Sequence, residues 1–131
     1  MEIKVELAKI IINETSDQQI VVLKEFQGER MLPIVIGLPE VLAIDRRLKG
    51  IQLPRPMTHD LLEDVIAHLR GKIEKVVIND LSNGTFFAQL HISFNGKTAQ
   101  IDSRPSDAIA LSAGLKVPLF VEDQVFQKSQ T

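Results

Sequence analysis

The chain contains no cysteine, no tryptophan and no tyrosine. Without thiols it can form neither disulfides nor thiolate-ligated metal centres, which suits a reducing, cytoplasmic setting. Six phenylalanines are its only aromatic residues, so a platform for stacking nucleic-acid bases is poorly supplied. No apolar run approaches the length of a membrane span. Residues 1–6 alternate at once and lack the apolar core of a signal peptide. The 15 basic and 17 acidic residues leave a formal net charge of −2, which argues against a large basic footprint for nucleic acid. There is no glycine-rich phosphate loop, no zinc-ligand spacing and no G-x-S-x-G turn. What remains is an ordinary globular composition, 44% hydrophobic and 24% charged, in a length that suits one domain with a real core.

The pattern along the chain is rich in hairpins. Residues 2–12 alternate and then become continuously apolar, which predicts a strand partly covered on both faces. Residues 20–26 return after a polar turn, and 31–36 form a third strand in which Pro33 implies an edge or an irregularity. Pro39 opens a helix with Val41, Leu42, Ile44 and Leu48 on its apolar face, stopped by Gly50. A proline-rich connector leads to Thr58, the expected N-cap of a helix over 58–70. In that helix Leu61, Leu62, Val65, Ile66 and Leu69 form one stripe expected to be core. Strands are expected at 75–81 and 85–94 around Asn83-Gly84, and a third after Asn95-Gly96 ends at Asp102. A helix from Pro105 stops near Gly114, a short strand spans 117–121, and the tail from Gln127 is expected to fray.

The order strand–strand–strand–helix thus occurs twice. The reading is a single α+β domain over 1–126, built from a βββα duplication (about 2–50 and 73–121) joined by the middle helix, with a polar tail at 127–131. The charges Asp45-Arg46-Arg47 and Glu63-Asp64 read as solvated helix faces.

Polarity concentrates at the helix starts. Arg104-Pro105-Ser106-Asp107 follows a strand that ends at Asp102, and Arg55-Pro56-Met57-Thr58-His59-Asp60 repeats the theme. A third start carries Glu40. If these starts converge, they bring together Glu40, His59, Asp60, Asp102 and Asp107, with Arg55 and Arg104 alongside. Carboxylates with one imidazole suit Mg²⁺ or Mn²⁺, with Asp102, Asp107 and Glu40 as the ligand candidates. Such a cation could polarise a phosphodiester while Arg55, Arg104, Thr58 and Ser106 hold phosphate oxygens. The competing reading is structural: Ser106 and Asp107 cap a helix, Arg104 neutralises Asp102, and His59 bonds to a nearby carbonyl.

Three blocks, residues 36–40 (IGLPE), 55–62 (RPMTHDLL) and 101–110 (IDSRPSDAIA), resemble the signature blocks of the bifunctional nuclease domain family. The segments 77–81 and 84–88 fit as well, and the similarity covers about residues 3–125. The resemblance implies an α+β fold, a homo-oligomer with a dimer favoured, and nuclease activity on DNA and RNA. By position the family's motif residues fall on Glu40, Arg55, Thr58, His59, Asp60, Asp102, Arg104, Ser106 and Asp107. The leading expectation is metal-assisted phosphodiester hydrolysis with no organic cofactor. The alternative is a non-catalytic oligomeric binding or regulatory protein whose Arg-Pro-hydroxyl-Asp motifs are structural.

Overall fold

Two antiparallel three-stranded meanders flank one short strand, and the sheet they complete carries the helices. The computed structural model describes residues 1–130. Its elements run β1 (Glu2–Ile11), β2 (Gln19–Glu25), β3 (Met31–Ile36), α1 (Leu38–Leu48), α2 (Thr58–His68), β4 (Lys72–Ser82), β5 (Thr85–Phe94), β6 (Lys97–Ser103), α3 (Pro105–Leu115), β7 (Leu119–Glu122) and α4 (Asp123–Ser129). The strand order is β3-β2-β1-β7-β4-β5-β6. β7 is antiparallel to β1 and parallel to β4, and it joins the two meanders into one mixed sheet. The α+β class read from the sequence is therefore the class observed. Among the described residues, no helix is long and apolar enough to cross a membrane.

The hairpins follow from turn chemistry. Asn83 and Gly84 have φ of 52° and 79°, and Asn95 and Gly96 have 51° and 73°. Two successive positive φ values match the right-handed twist of the flanking strands. Side-chain parity then builds the core. Val21 and Leu23, Val76 and Ile78, and Leu90 and Ile92 point to the face shared with Ile44, Ile109 and Leu111 of α1 and α3.

Four expectations need correction. The tail does not fray: α4 runs through Ser129, with Val125 and Phe126 wholly buried. The Phe126 ring lies 4.5 Å from the Arg30 guanidinium, which also pairs with Glu25 at 3.0 Å and Asp123 at 2.9 Å. The apolar stripe of α2 is not core. None of its residues is buried, Leu61 and Leu69 are 54% and 66% exposed, and only Ile66 packs partly against the core. Met57, not Thr58, is the N-cap of that helix.

Fourth, Arg47 is no solvated residue. Its side chain is 4% exposed, its Nε donates to the Ala110 carbonyl at 2.6 Å, and its Nη1 donates to Asp60 at 2.6 Å. Glu63 is a further ion-pair partner. The helix stops near Gly114 as expected: Leu115 is its last residue, and a Cβ at Gly114 would overlap the Arg47 guanidinium. Lys116, whose φ of 60° gives a left-handed cap, closes it with its N–H on the Ser112 carbonyl at 2.8 Å.

Candidate active site at three helix starts

The starts of α1, α2 and α3 meet around one cleft. In α3, Arg104 is the N-cap, extended at φ −70° and ψ 147°, and Pro105 fixes the first helical position. Asp107 therefore stands in the first turn, where the helix dipole favours its charge. His59 occupies the first turn of α2 and Glu40 the first turn of α1. A Cβ at Gly37 would overlap the Glu40 carboxylate, so the glycine before Leu38-Pro39-Glu40 leaves room for that side chain.

Four of the nine candidate residues stand in one chain of contacts. His59 Nε2 lies 2.9 Å from Asp107 Oδ1. Arg104 donates to the same carboxylate twice, Nε to Oδ2 at 2.9 Å and Nη2 to Oδ1 at 3.2 Å. Its Nη1 lies 3.7 Å from Glu40 Oε2. Burial pushes the Asp107 carboxyl up, but the hydrogen bonds and charges of Arg104 and His59 outweigh it and hold it below the ordinary value. Asp107 in turn raises the Arg104 guanidinium. An ionised carboxylate only accepts, so His59 donates through Nε2 and turns its Nδ1 away from Asp107. No described residue hydrogen-bonds to that Nδ1. The His59 side chain is 14% exposed and that of Arg104 64%.

Two clefts share this cluster. One of about 480 Å³ is bordered by Pro39, Leu42, Ala43 and Met57. The other, about 430 Å³, is bordered by Leu62, Ile66, Leu90, Ile92 and Ile101. Thr58, His59, Arg104 and Asp107 line both, so they form the ridge between two largely apolar hollows of a size that takes small ligands.

The remaining candidates lie elsewhere. Asp60 turns away to accept Met57 N–H at 3.0 Å, Arg46 Nη2 at 3.1 Å and Arg47 Nη1 at 2.6 Å. Burial raises its carboxyl, and the Met57 and Arg46 hydrogen bonds more than reverse this. Ser106 is buried against a third cleft, of about 330 Å³, bordered by Gly37, Glu40 and Arg104. Arg55 is exposed in the connector, with no ion pair among the described residues. Asp102 borders the second cleft, but its side chain bonds to no described residue. It pairs with Gln89, whereas Ile101 and Ser103 pair with the core-facing Leu90 and Ala88, so the pleat turns the Asp102 side chain to the opposite face.

The cation set expected from the sequence does not fit this arrangement. Both Asp107 oxygens are taken by Arg104 and His59, Glu40 faces Arg104, and Asp102 points away. Among the described residues, no three His, Asp or Glu side chains gather as metal ligands. Sequence reading also passed over Arg46, which lines the first cleft and holds Asp60. A charged run on a helix gives no signal for such a role.

Comparison with known proteins agrees with the blocks around the cluster. The family model described as the bifunctional nuclease domain matches residues 21–131. An uncharacterized protein of Mycobacterium tuberculosis is 38% identical over 126 residues, covering 96% of this chain and 75% of that protein. "Bifunctional nuclease 1" of Oryza sativa subsp. japonica is 23% identical over 118 residues, and "Bifunctional nuclease 2" of Arabidopsis thaliana is 29% identical over 106. These alignments cover 87% and 77% of this chain but only 36% and 32% of the plant proteins. With the family model spanning most of its length and a 38% identical relative matched nearly end to end, the chain belongs to the bifunctional nuclease domain family.

Proposed function

We propose that this chain hydrolyses phosphodiester bonds in DNA and RNA at the His59–Asp107–Arg104 cluster. The observation that carries the reading is the orientation of His59. Asp107 holds Nε2 at 2.9 Å, which leaves the basic Nδ1 on a ridge between two hollows, where a phosphate with a nucleoside on either side would fit. In the step that follows, Nδ1 takes a proton from water as the water oxygen attacks phosphorus. The bond to the leaving oxygen breaks, and the imidazolium returns the proton to it. Asp107 stabilises the imidazolium while it exists. The exposed Arg104 guanidinium donates to a non-bridging oxygen, where negative charge grows in the transition state.

The test is cleavage of labelled single-stranded DNA and RNA by wild type, His59→Ala and Asp107→Asn, purified identically and matched for folding by circular dichroism. Loss of a general base predicts a fall of about 10²–10⁴-fold in kcat. Equal cleavage by all three would refute the site and point to a contaminating nuclease. A chelator series on wild type reports separately on a divalent cation. The alternative, a non-catalytic binding or regulatory protein, draws support from Asp60, whose bonds to Arg46, Arg47 and Met57 are wholly bracing. Absence of cleavage by folded wild type in every metal tried would favour it.

A further inference from the structure

The third cleft, between the starts of α1 and α3, is lined by polar side chains that the fold leaves unused. Ser106 is 6% exposed, yet its hydroxyl hydrogen-bonds to no described residue. It does not cap α3 either, since Arg104 is the N-cap and the helix has no side-chain cap. A buried hydroxyl without a partner is costly, and a ligand that meets it recovers that cost. Glu40 is the second such group. Its side chain is 27% exposed, and its one ion-pair partner among the described residues is Arg104 Nη1 at 3.7 Å, beyond hydrogen-bond range. A carboxylate has about four acceptor sites, so those of Glu40 stand open. The carboxylate lies against Gly37, which also lines the cleft.

The walls are apolar. Ile34 and Ile36 come from β3 and Phe86 from β5. Four strands separate β3 from β5 in the sheet order, so the sheet curls to bring these side chains to one hollow. Its volume of about 330 Å³ stands at the lower end for small-ligand sites and suits one ring system.

The polar groups select the ligand. A phosphate is disfavoured, because two carboxylates, Glu40 and Asp107, already share the Arg104 guanidinium. The cleft instead calls for donors facing Glu40, an acceptor facing Ser106 and a flat body between apolar walls. Among the nucleobases, guanine alone sets two N–H donors side by side, N1–H and the N2 amino group, with the O6 acceptor next in line. Adenine and cytosine place a ring acceptor beside their amino group, and uracil and thymine flank N3–H with two carbonyls.

We propose that this cleft reads a guanine base. Glu40 accepts from N1–H and N2–H, Ser106 donates to O6, and Phe86 with Ile34 and Ile36 contacts the ring. Arg104 lines this cleft and both hollows beside the His59–Asp107 ridge, so the guanine belongs to a nucleotide next to the bond that is cut. That placement rests on the nucleolytic reading. The recognition of the base does not.

The test is calorimetric titration with GMP, IMP and AMP, which share their sugar and phosphate. GMP should bind at least tenfold more tightly than AMP, since a hydrogen bond to a charged group is worth about a factor of ten or more. IMP keeps N1–H and O6 but lacks the amino group, and should fall between them. Glu40→Gln replaces one acceptor oxygen by a donor and should bring GMP down to the level of AMP. Ser106→Ala should weaken GMP about two- to tenfold. Its circular dichroism spectrum should not change, because the hydroxyl bonds to no described residue. His59→Ala, outside this cleft, should keep the full preference for GMP. Equal affinity for the three nucleotides overturns the proposal, as does displacement of GMP by inorganic phosphate at equal concentration. A preference for GMP that survives both Glu40→Gln and Ser106→Ala overturns it by placing the base elsewhere. GMP selectivity in a protein that cuts no nucleic acid refutes the nuclease reading and leaves the base cleft standing. Where RNA is cut, sequenced product ends should cluster beside guanines in wild type and spread evenly in Ser106→Ala. An even spread in wild type overturns the placement beside the cut bond.

Discussion

Helix propensity and packing make opposite predictions for Gly114→Ala. The residue lies within α3, where replacing glycine by alanine in a helix adds about 1 kcal/mol of stability. The Arg47 guanidinium occupies the space an alanine Cβ would take. Arg47 could swing aside, but its Nε holds the Ala110 carbonyl at 2.6 Å and its Nη1 holds Asp60 at 2.6 Å. Hydrogen bonds to charged groups contribute about 1.5–3 kcal/mol each. Asp60 keeps Arg46 and the Met57 N–H, so losing Arg47 leaves it weakened rather than unpaired. With Asp60 still paired, each lost bond counts at the low end, about 1.5 kcal/mol. Two of them set against the propensity gain of about 1 kcal/mol predict a net destabilisation of about 2 kcal/mol, or roughly 5–10 °C in Tm for a domain of this size. Urea unfolding followed by circular dichroism measures it. In an Arg47→Ala background the obstruction is gone, and Gly114→Ala should then stabilise by about 1 kcal/mol. A Gly114→Ala protein as stable as wild type, with no reversal of sign in the double variant, would refute the anchored position of Arg47.

Acid should loosen the fold through its paired carboxylates. Asp107 and Asp60 both titrate below the ordinary aspartate value of 3.8, so their stabilisation is complete above that value and is lost as pH falls through their folded-state values. Urea midpoints measured from pH 7 to pH 2 should fall mainly below about 4, and Asp107→Asn should flatten that fall while lowering the neutral plateau. Phe126→Ala removes a wholly buried ring and should cost about 3–5 kcal/mol. A cost below 1 kcal/mol in the same assay would show that α4 does not hold the sheet.

The strands were legible because their signals are local. Asn83-Gly84 and Asn95-Gly96 take positive φ as such pairs readily do, and alternation did the rest. Burial was less legible, because periodicity reveals that a helix has an apolar face but not what lies against it. The α2 stripe is as regular as that of any buried helix, yet only Ile66 of it packs against the core. α4 escaped notice because only Val125 and Phe126 are apolar in a seven-residue segment, too little for a period to show. Asp102 could have been set apart from sequence alone. Ile101 is the apolar member of its strand, so parity sends its neighbour to the other face, and counting acids near a helix start ignored that parity.

The two Arg-Pro motifs carry the deeper lesson, because their composition is shared and their geometry is not. In the second, Pro105 is the first helical residue and Arg104 the N-cap, so the arginine stands three residues before Asp107 and folds back onto it. In the first, Pro56 precedes the N-cap Met57. Arg55 is thereby carried off the first turn and lies five residues from Asp60, which is left to Arg46 and Arg47 of another helix. The shift of the proline by two helix positions decides which aspartate keeps its own arginine. The packing of α2 sets His59, rather than Asp60, against Asp107 of α3. The cluster therefore takes its imidazole from one motif and its carboxylate from the other. Neither motif alone holds a dyad, and only the packing of α2 beside α3 assembles one.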